Sequence, residues 1–371
     1  AWVLVSGTNS GWPIWLNAKE DSIRAAIKEE NNKIAQENQE LMMKARETGE
    51  RPDPSKMKKP QTRPGLYARE LLEAGALGFI QAAVTPLTLL YDRPNCYKMT
   101  MDNLPAVCDI KLDEHQYAII EQKVKEYRDF QLEFDIRNYF FKGPVKYHNV
   151  IGVMKGSKYP NEYVLMGGHL DAFDSASGAV DDGNGTCITM EAARLLAAAG
   201  AKPQRTILFC LWTGEEYGLL GSKFFVEEKT IPWDKISNYF NRDGGPLATT
   251  GISVPPAMYD DFVEVCKPIM NYSEAMPFTV TKRTEPQERP TSAGGSDHAY
   301  FSMNGMPAIS FRETDALGYD FNYRDIWHTE DDLYDQLIPE YLEHSAVVNA
   351  VVSYGIANLN HLLSREGLYK E

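Results

Sequence analysis

The feature that most constrains this chain is a rhythm running from residue 144 to residue 371, in which short apolar runs break off into polar clusters. Three runs, Tyr163 to Met166, Thr206 to Trp212 and Ile236 to Phe240, have the length of strands. The Ala-rich stretch Met190 to Ala199, between the first two, reads as a helix. Strand, helix and strand in alternation predict an α/β fold: a mostly parallel twisted sheet with helices on both faces, since parallel neighbours need a crossover of helical length. Ligands of such sheets bind beyond the carboxyl ends of the strands. The polar clusters fall at those ends.

Residues 1–143 have another texture. From Ser22 to Ala45 charged side chains surround Ile27, Ile34 and Leu41, spaced seven apart, which predicts an amphipathic helix. A breaker-rich loop follows, from Arg51 to Pro64. A solvated surface helix is the plain reading of this stretch, and a lid or a homodimer contact is the sharper one. Beyond it we expect a helix over Leu66 to Ala74, a strand over Phe79 to Val84, a further segment Leu104 to Val107, a helix near Glu114 to Tyr127 and an alternating strand from Phe130 to Phe141. Such a small α/β module, without a cluster of catalytic residue types, covers or docks rather than reacts.

Charge separates the two parts. Residues 1–143 carry 20 basic and 21 acidic side chains, whereas residues 144–371 carry 18 and 31, nearly all of the net −14. That acidity argues against nucleic acid or an anionic membrane surface as partner. No uninterrupted apolar run reaches the roughly 18 residues of a membrane span. The opening Ala1-Trp2-Val3-Leu4-Val5-Ser6-Gly7 has neither an initiator Met nor the layout of a signal peptide. It reads as a strand entered in mid-domain, so a segment is expected to precede it in the protein's natural form. None of the five cysteines, Cys96, Cys108, Cys187, Cys210 and Cys266, forms a CxxC pair. Cys187 and Cys210 lie in apolar runs and are expected to be buried thiols. Cys96 and Cys108 flank a polar loop and could pair as a disulfide, which would favour an exported protein.

The polar clusters are Gly167-Gly168-His169-Leu170-Asp171, Val180-Asp181-Asp182-Gly183, Trp212-Thr213-Gly214-Glu215-Glu216-Tyr217-Gly218, Asn241-Arg242-Asp243 and Trp327-His328-Thr329-Glu330-Asp331. Imidazole and carboxylate groups on loops after strands suit a catalytic zinc, because such ligands leave room for water. Two His and several carboxylates exceed what one zinc can use and suit two metals sharing a carboxylate. The Glu215-Glu216 pair adds a second signal. Adjacent residues at a strand end project in different directions, so one carboxylate can bind metal while the other serves as general base toward water. His169 followed by Asp171 suggests a ligand imidazole whose tautomer is fixed by a carboxylate. Each motif alone is commonplace on a surface; five at successive strand ends point to a metal hydrolase.

In this order, GGHLD, VDDGNG, WTGEEYGLLGS, NRDG and WHTEDD resemble the co-catalytic zinc exopeptidases of metallopeptidase family 28. AVDDGNGTCITMEAARLL and VVNAVVSYGIANL are similar above all to its carboxypeptidase Q-like group. LPAVCDI and EAGALGFIQAAV make residues 1–143 similar to the protease-associated (PA) domain that many members insert, here with a charged helical insertion near 18–64. The resemblance implies a di-zinc peptidase domain over 144–371, with a first peptidase segment placed before residue 1. It implies two Zn2+ ions, one held by His169, Asp181 and Asp243, the other by Asp181, Glu216 and His328, with Asp181 as the bridge. Asp182 is the neighbour with which the bridge is most easily confused. Glu215 would take a proton from the attacking water and deliver it to the leaving amine, and Asp171 would orient His169. The implied substrate is a peptide or dipeptide cut at a chain end, by aminopeptidase or dipeptidase action, in an exported (periplasmic or extracellular) protein.

Several members place a Tyr just before the last His as oxyanion donor, whereas this chain has Trp327, leaving Tyr300 and Tyr323 as candidates. Gly294 to Phe301 resembles the family's SDHxxF stretch and is expected to line the substrate pocket, with His298 as a wall residue. Arg242, Arg312 and Arg324 are the cations available to clamp an acidic side chain, surface pairing being their plainer use. Two other readings compete: an inactive receptor-like binding protein on the same scaffold, and a zinc enzyme of the glutaminyl cyclase or deacylase type. Five intact ligands and Glu215 weigh against the first. The short step from His169 to Asp181 weighs against a deacylase, and a two-metal ligand set against a cyclase.

Overall fold

A computed structural model of the chain describes residues 1–9, 18–48, 53–61, 66–83, 100–102, 107–137, 139, 141–173 and 176–370. It divides into two units, Ala1–Lys142 and Gly143–Glu371.

Three strands build the first unit. β1 (Trp2–Asn9) is followed by α1 (Ala18–Thr48), α2 (Ala68–Glu73), β2 (Gly78–Ala83), β3 (Cys108–Leu112) and α3 (Glu114–Lys125). The strands form a parallel sheet in the order β1-β2-β3. Successive β2 side chains point to opposite faces, so Phe79 packs with Val5 and Ala68 while Ile80 packs with Tyr117. The Tyr117 hydroxyl ties the faces together by donating to Val5 O at 2.6 Å. The Asp113 carboxylate caps α3, accepting from the backbone N–H groups of His115 and Gln116. Helix α1 covers the predicted span and extends beyond it, with Ile34 buried in its stripe. Two half-buried asparagines one heptad apart clip the following loop to it. Asn31 exchanges hydrogen bonds with the backbone of Gln61, and Asn38 does the same with Lys58.

The alternating strand expected from Phe130 to Phe141 is not formed: its described residues are irregular. Phe130, Leu132, Ile136, Tyr139 and Phe141 are exposed, and Phe134 stacks 4.3 Å from the Trp2 ring. Alternation makes a strand only where a neighbouring ladder takes up the backbone N–H and C=O groups, and no described strand lies alongside. Leu104 to Ala106, Val84 and Cys96 lie outside the described residues, and the Cys96–Cys108 pairing with them.

The second unit carries β4 (Val150–Met154), β5 (Tyr159–His169), α4 (Asn184–Ala198), β6 (Arg205–Trp212), α5 (Leu220–Glu227), β7 (Ile236–Asn241), β8 (Ala248–Val254), α6 (Tyr259–Met270), β9 (Thr279–Lys282), α7 (His298–Met303), β10 (Phe311–Thr314), α8 (Tyr323–Ile326) and α9 (Pro339–Ala357). Its main sheet has the order β4-β6-β5-β7, with β5 parallel to both neighbours and β4 antiparallel at the edge. A second sheet, β10-β8-β9, adjoins it through the stretch before β10: Tyr239 N–H donates to Pro307 O, and the Asn238 side chain pairs with the Ile309 backbone. All eight residues of β6 are buried, as a parallel strand covered on both faces requires. On one face Val164, Met166, Ile207 and Phe209 pack with Ala192 of α4, Phe262 of α6 and Val352 of α9. On the other, Leu165, Leu208, Cys210 and Trp212 pack with Phe225 of α5 and Phe301 of α7. Cys210 is buried as expected, but Cys187 is exposed. It precedes Ile188, which points into the core, so an apolar run around a helix did not mean a buried side for every member. No described helix is long and apolar enough to cross a membrane.

Candidate metal centre

Register brings the strand ends together. His169 pairs with Trp212, and Gly167 with both Cys210 and Asn241, so β5, β6 and β7 finish side by side. The turn after β6 then presents Glu215 and Glu216, and the residues after β7 present Asp243. Two glycines permit the close approach of the remaining loop. A Cβ on Gly168 would lie 2.1 Å from the Asp182 carboxylate, and one on Gly185 would lie 2.1 Å from Arg242 O. Asp182 occupies that space: it accepts from His169 N–H at 2.9 Å and Gly185 N–H at 3.1 Å, tying the end of β5 to the start of α4. Burial holds its carboxyl well above the ordinary range.

Asp181 serves a different partner with each oxygen. Its Oδ1 lies 3.1 Å from His169 Nε2 and its Oδ2 lies 3.6 Å from His328 Nε2. Asp243 Oδ1 stands 3.8 Å from the same His169 nitrogen, and Glu216 Oε2 stands 2.9 Å from His328 Nε2. The two trios, His169-Asp181-Asp243 and Asp181-Glu216-His328, each gather their ligand atoms within 4.8 Å of one another. All of these residues are buried except Asp243, which is half-buried. Two imidazoles and three carboxylates converging in a buried space, with Asp182 and Glu215 close by, make an excess of buried negative charge that a divalent cation would balance. The donor set fits zinc.

The surroundings orient these groups. His169 Nδ1 lies 2.8 Å from the Asp171 carbonyl oxygen. A carbonyl only accepts, so Nδ1 carries a proton and Nε2 is the nitrogen turned inward, toward Asp181. This corrects the expected role of Asp171: its carboxylate is 3.8 Å from Nδ1 and instead accepts from Glu215 N–H and Glu216 N–H, both at 3.1 Å. Asp171 thus holds the Glu-Glu turn with its side chain and the imidazole with its main chain. Asp171→Ala is therefore expected to weaken zinc binding by about 10- to 100-fold, the scale of lost groups that orient ligands, measured by competition with a chelating dye. Burial would lower the pKa of the His169 imidazole, but the Asp181 and Asp243 carboxylates, accepting from the protonated ring, outweigh it and raise the pKa. Burial pushes the Glu215 carboxyl up to about 9, opposed by His169 and reinforced by Asp243, Asp297 and Glu216.

Some functional residues escaped the sequence. Asp332, buried, accepts from Val180 N–H at 2.7 Å and Asp181 N–H at 3.0 Å, fixing the backbone that carries the shared carboxylate. Its only signal was the doubled acid of WHTEDD. Ser296, buried, accepts from Asn241 Nδ2 at 2.8 Å, a contact that the SDHxxF likeness did not name. Of the two candidate tyrosines, Tyr323 has its pKa raised, by burial first and then by the nearby Asp181 and Asp243 carboxylates. Tyr300 packs instead against the cluster around Trp212 and Phe301. Trp327, 42% exposed, stacks on the His328 ring at 4.0 Å, and Phe173 lies 4.5 Å from the same ring. His298 is half-buried, its pKa lowered by burial, and belongs to neither trio. Arg242 is no clamp open to solvent: it is buried, pairs with Glu313 and donates to Gly245 O and Leu247 O.

Comparison with known proteins shows the family and the fold. Residues 149–353 match the profile of Peptidase family M28. Carboxypeptidase Q of Rattus norvegicus is 32% identical over 217 residues, 58% of this chain and 43% of its own length. The chain thus spans less than half the length of this relative. The crystal structure of a peptidase M28 precursor from Shewanella amazonensis is similar with a TM-score of 0.57 and 24% identity, over 79% of this chain and 62% of that one. A zinc aminopeptidase from Bacillus subtilis is similar with a TM-score of 0.53 and 18% identity, over 82% of this chain and 70% of that one.

Proposed function

The chain belongs to peptidase family M28, and from that premise we propose that residues 143–371 form a zinc-dependent exopeptidase unit acting on peptides or dipeptides. The observation that carries the proposal is the Asp181 carboxylate, whose two oxygens face two different imidazoles. One zinc ion would be held by His169, Asp181 and Asp243, the other by Asp181, Glu216 and His328. When bound, the ions would polarise the scissile carbonyl, make water acidic enough to attack at neutral pH and keep Glu215 ionised.

The chain's own groups supply the rest. Glu215, placed by the bonds from its turn to Asp171, takes the proton of the attacking water as the new C–O bond forms. It returns that proton to the amine nitrogen as the C–N bond breaks, so one carboxylate serves as base and then acid. The Tyr323 hydroxyl, beside Asp181, is the donor we assign to the tetrahedral oxyanion in place of the family's Tyr, leaving Trp327 to stack on His328. Tyr323→Phe is then expected to lower kcat by about a hundredfold, the scale of one oxyanion donor, with KM little changed in a dipeptide assay. For residues 1–142 the same reading keeps the PA-domain role and an exported protein, supported by the motif likeness.

Chelation decides between this reading and a receptor-like scaffold. Dialysis of the protein against a strong chelator should abolish turnover of dipeptides and aminoacyl amides, and added zinc should restore it. Turnover that survives complete metal removal would refute the metal role. A zinc-loaded protein without turnover on the whole panel would favour the binding scaffold.

A further inference from the structure

The VDDGNG stretch holds a polar side chain that belongs to neither ligand trio. Asn184 opens α4 and is buried. Its Nδ2 donates to two backbone carbonyls, Val180 O and, at 2.7 Å, Gly244 O. A carbonyl only accepts, so the NH2 end of the amide is the end that faces both. Val180 immediately precedes Asp181, and Gly244 immediately follows Asp243. One amide thus joins the two backbone segments that carry both carboxylates of the His169-Asp181-Asp243 trio, although Gly244 lies 60 positions away.

A second side chain brings the imidazole to the same joint. The Thr186 hydroxyl, two residues further along α4, donates to His169 O at 2.7 Å. All three ligand-bearing segments of this trio are therefore tied to the first turn of one helix. That helix is itself anchored in the apolar core by Ala192 and Leu196. A site hung from a rigid element is placed more precisely than one carried by loops alone. In the other trio Glu216 is held differently, its N–H donating to Asp171.

We propose that Asn184 and Thr186 are positioning residues that fix His169, Asp181 and Asp243 to the start of α4 and so set the affinity of the zinc site these three would form, apart from that of the other. The inference rests on the di-zinc reading above. It adds residues that touch neither the ion nor the substrate and act only through the backbone next to the ligands.

The test is zinc affinity at fixed pH, read by competition with a fluorescent chelator, together with the visible spectrum of the Co2+-substituted protein. Asn184→Ala should weaken, by about tenfold or more, the same site that Asp243→Ala removes, and change the cobalt spectrum, leaving the other site within about twofold of the parent. Thr186→Val, which keeps the shape and loses the hydroxyl, should weaken that site about tenfold, whereas Thr186→Ser, which keeps the hydroxyl, should match the parent in both readouts. Should Asn184→Ala fail to fold, the Thr186 pair decides alone. A parent with two zinc ions, alongside Asn184→Ala and Thr186→Val variants that bind within twofold of it and are spectrally unchanged, would overturn this inference only. Equal weakening of both sites, or a loss in Thr186→Val that Thr186→Ser shares, would also overturn it, in favour of general packing. A parent that binds fewer than two zinc ions would overturn the di-zinc reading, and this inference with it.

Discussion

Glu215→Gln is expected to retain its zinc and to lose about a hundredfold or more in kcat, the scale of general-base catalysis. The substitution is isosteric, and Glu215 belongs to neither ligand trio. Its backbone N–H bond to Asp171 survives, so the turn that also presents Glu216 stays in place. What is lost is the ability to accept and return a proton. The side chain is buried, and bulk water has little access to substitute for it. KM should change little, since the effect falls on the chemical step. Zinc content by mass spectrometry and turnover of a dipeptide read the two halves of this expectation separately. Near-normal turnover would remove Glu215 from its role.

Asp181→Asn should be more damaging still, and through a different cause. The amide removes one negative charge from both trios at once and offers only one oxygen where two imidazoles now face one each. At least one zinc should be lost. Losing a Lewis acid that contributes several kcal/mol, at 1.36 kcal/mol per factor of ten, corresponds to a fall of about a thousandfold in kcat. Backbone support from Asp332 should persist, because it reaches the N–H groups of Val180 and Asp181 rather than the side chain. The variant should therefore fold and show the loss in metal content. Two tightly bound zinc ions in Asp181→Asn would contradict the shared-ligand arrangement.

The contrast between Asp181 and Asp182 shows where sequence reasoning reaches its limit. Two adjacent acids in VDDGNG look alike on paper, and family likeness chose the first. The structure supplies the physical distinction, since Asp182 is taken up by the backbone N–H groups of His169 and Gly185. The parallel sheet was legible because buried strands such as β6 read as unbroken apolar runs, and three of the polar clusters were legible because they follow such runs at the ends of β5, β6 and β7, whereas Asp181 lies in the loop before α4 and His328 follows the short helix α8. The strand expected at Phe130 to Phe141 failed because alternation describes one strand's faces and says nothing of a partner. Asp171, Asp332 and Ser296 were hard to place for another reason. Their work is done on N–H groups or side chains distant in sequence, as in the bond from Asp332 to Val180 across 152 positions. Such contacts exist only after the loops are brought together.

The most direct measurement is a zinc titration of the chelated protein with dipeptide turnover followed at each step. The account predicts turnover that rises with added zinc and saturates at two ions per chain, with His169→Ala and His328→Ala each lowering that number. Full activity at a single zinc, or no turnover at any zinc ratio, would contradict it.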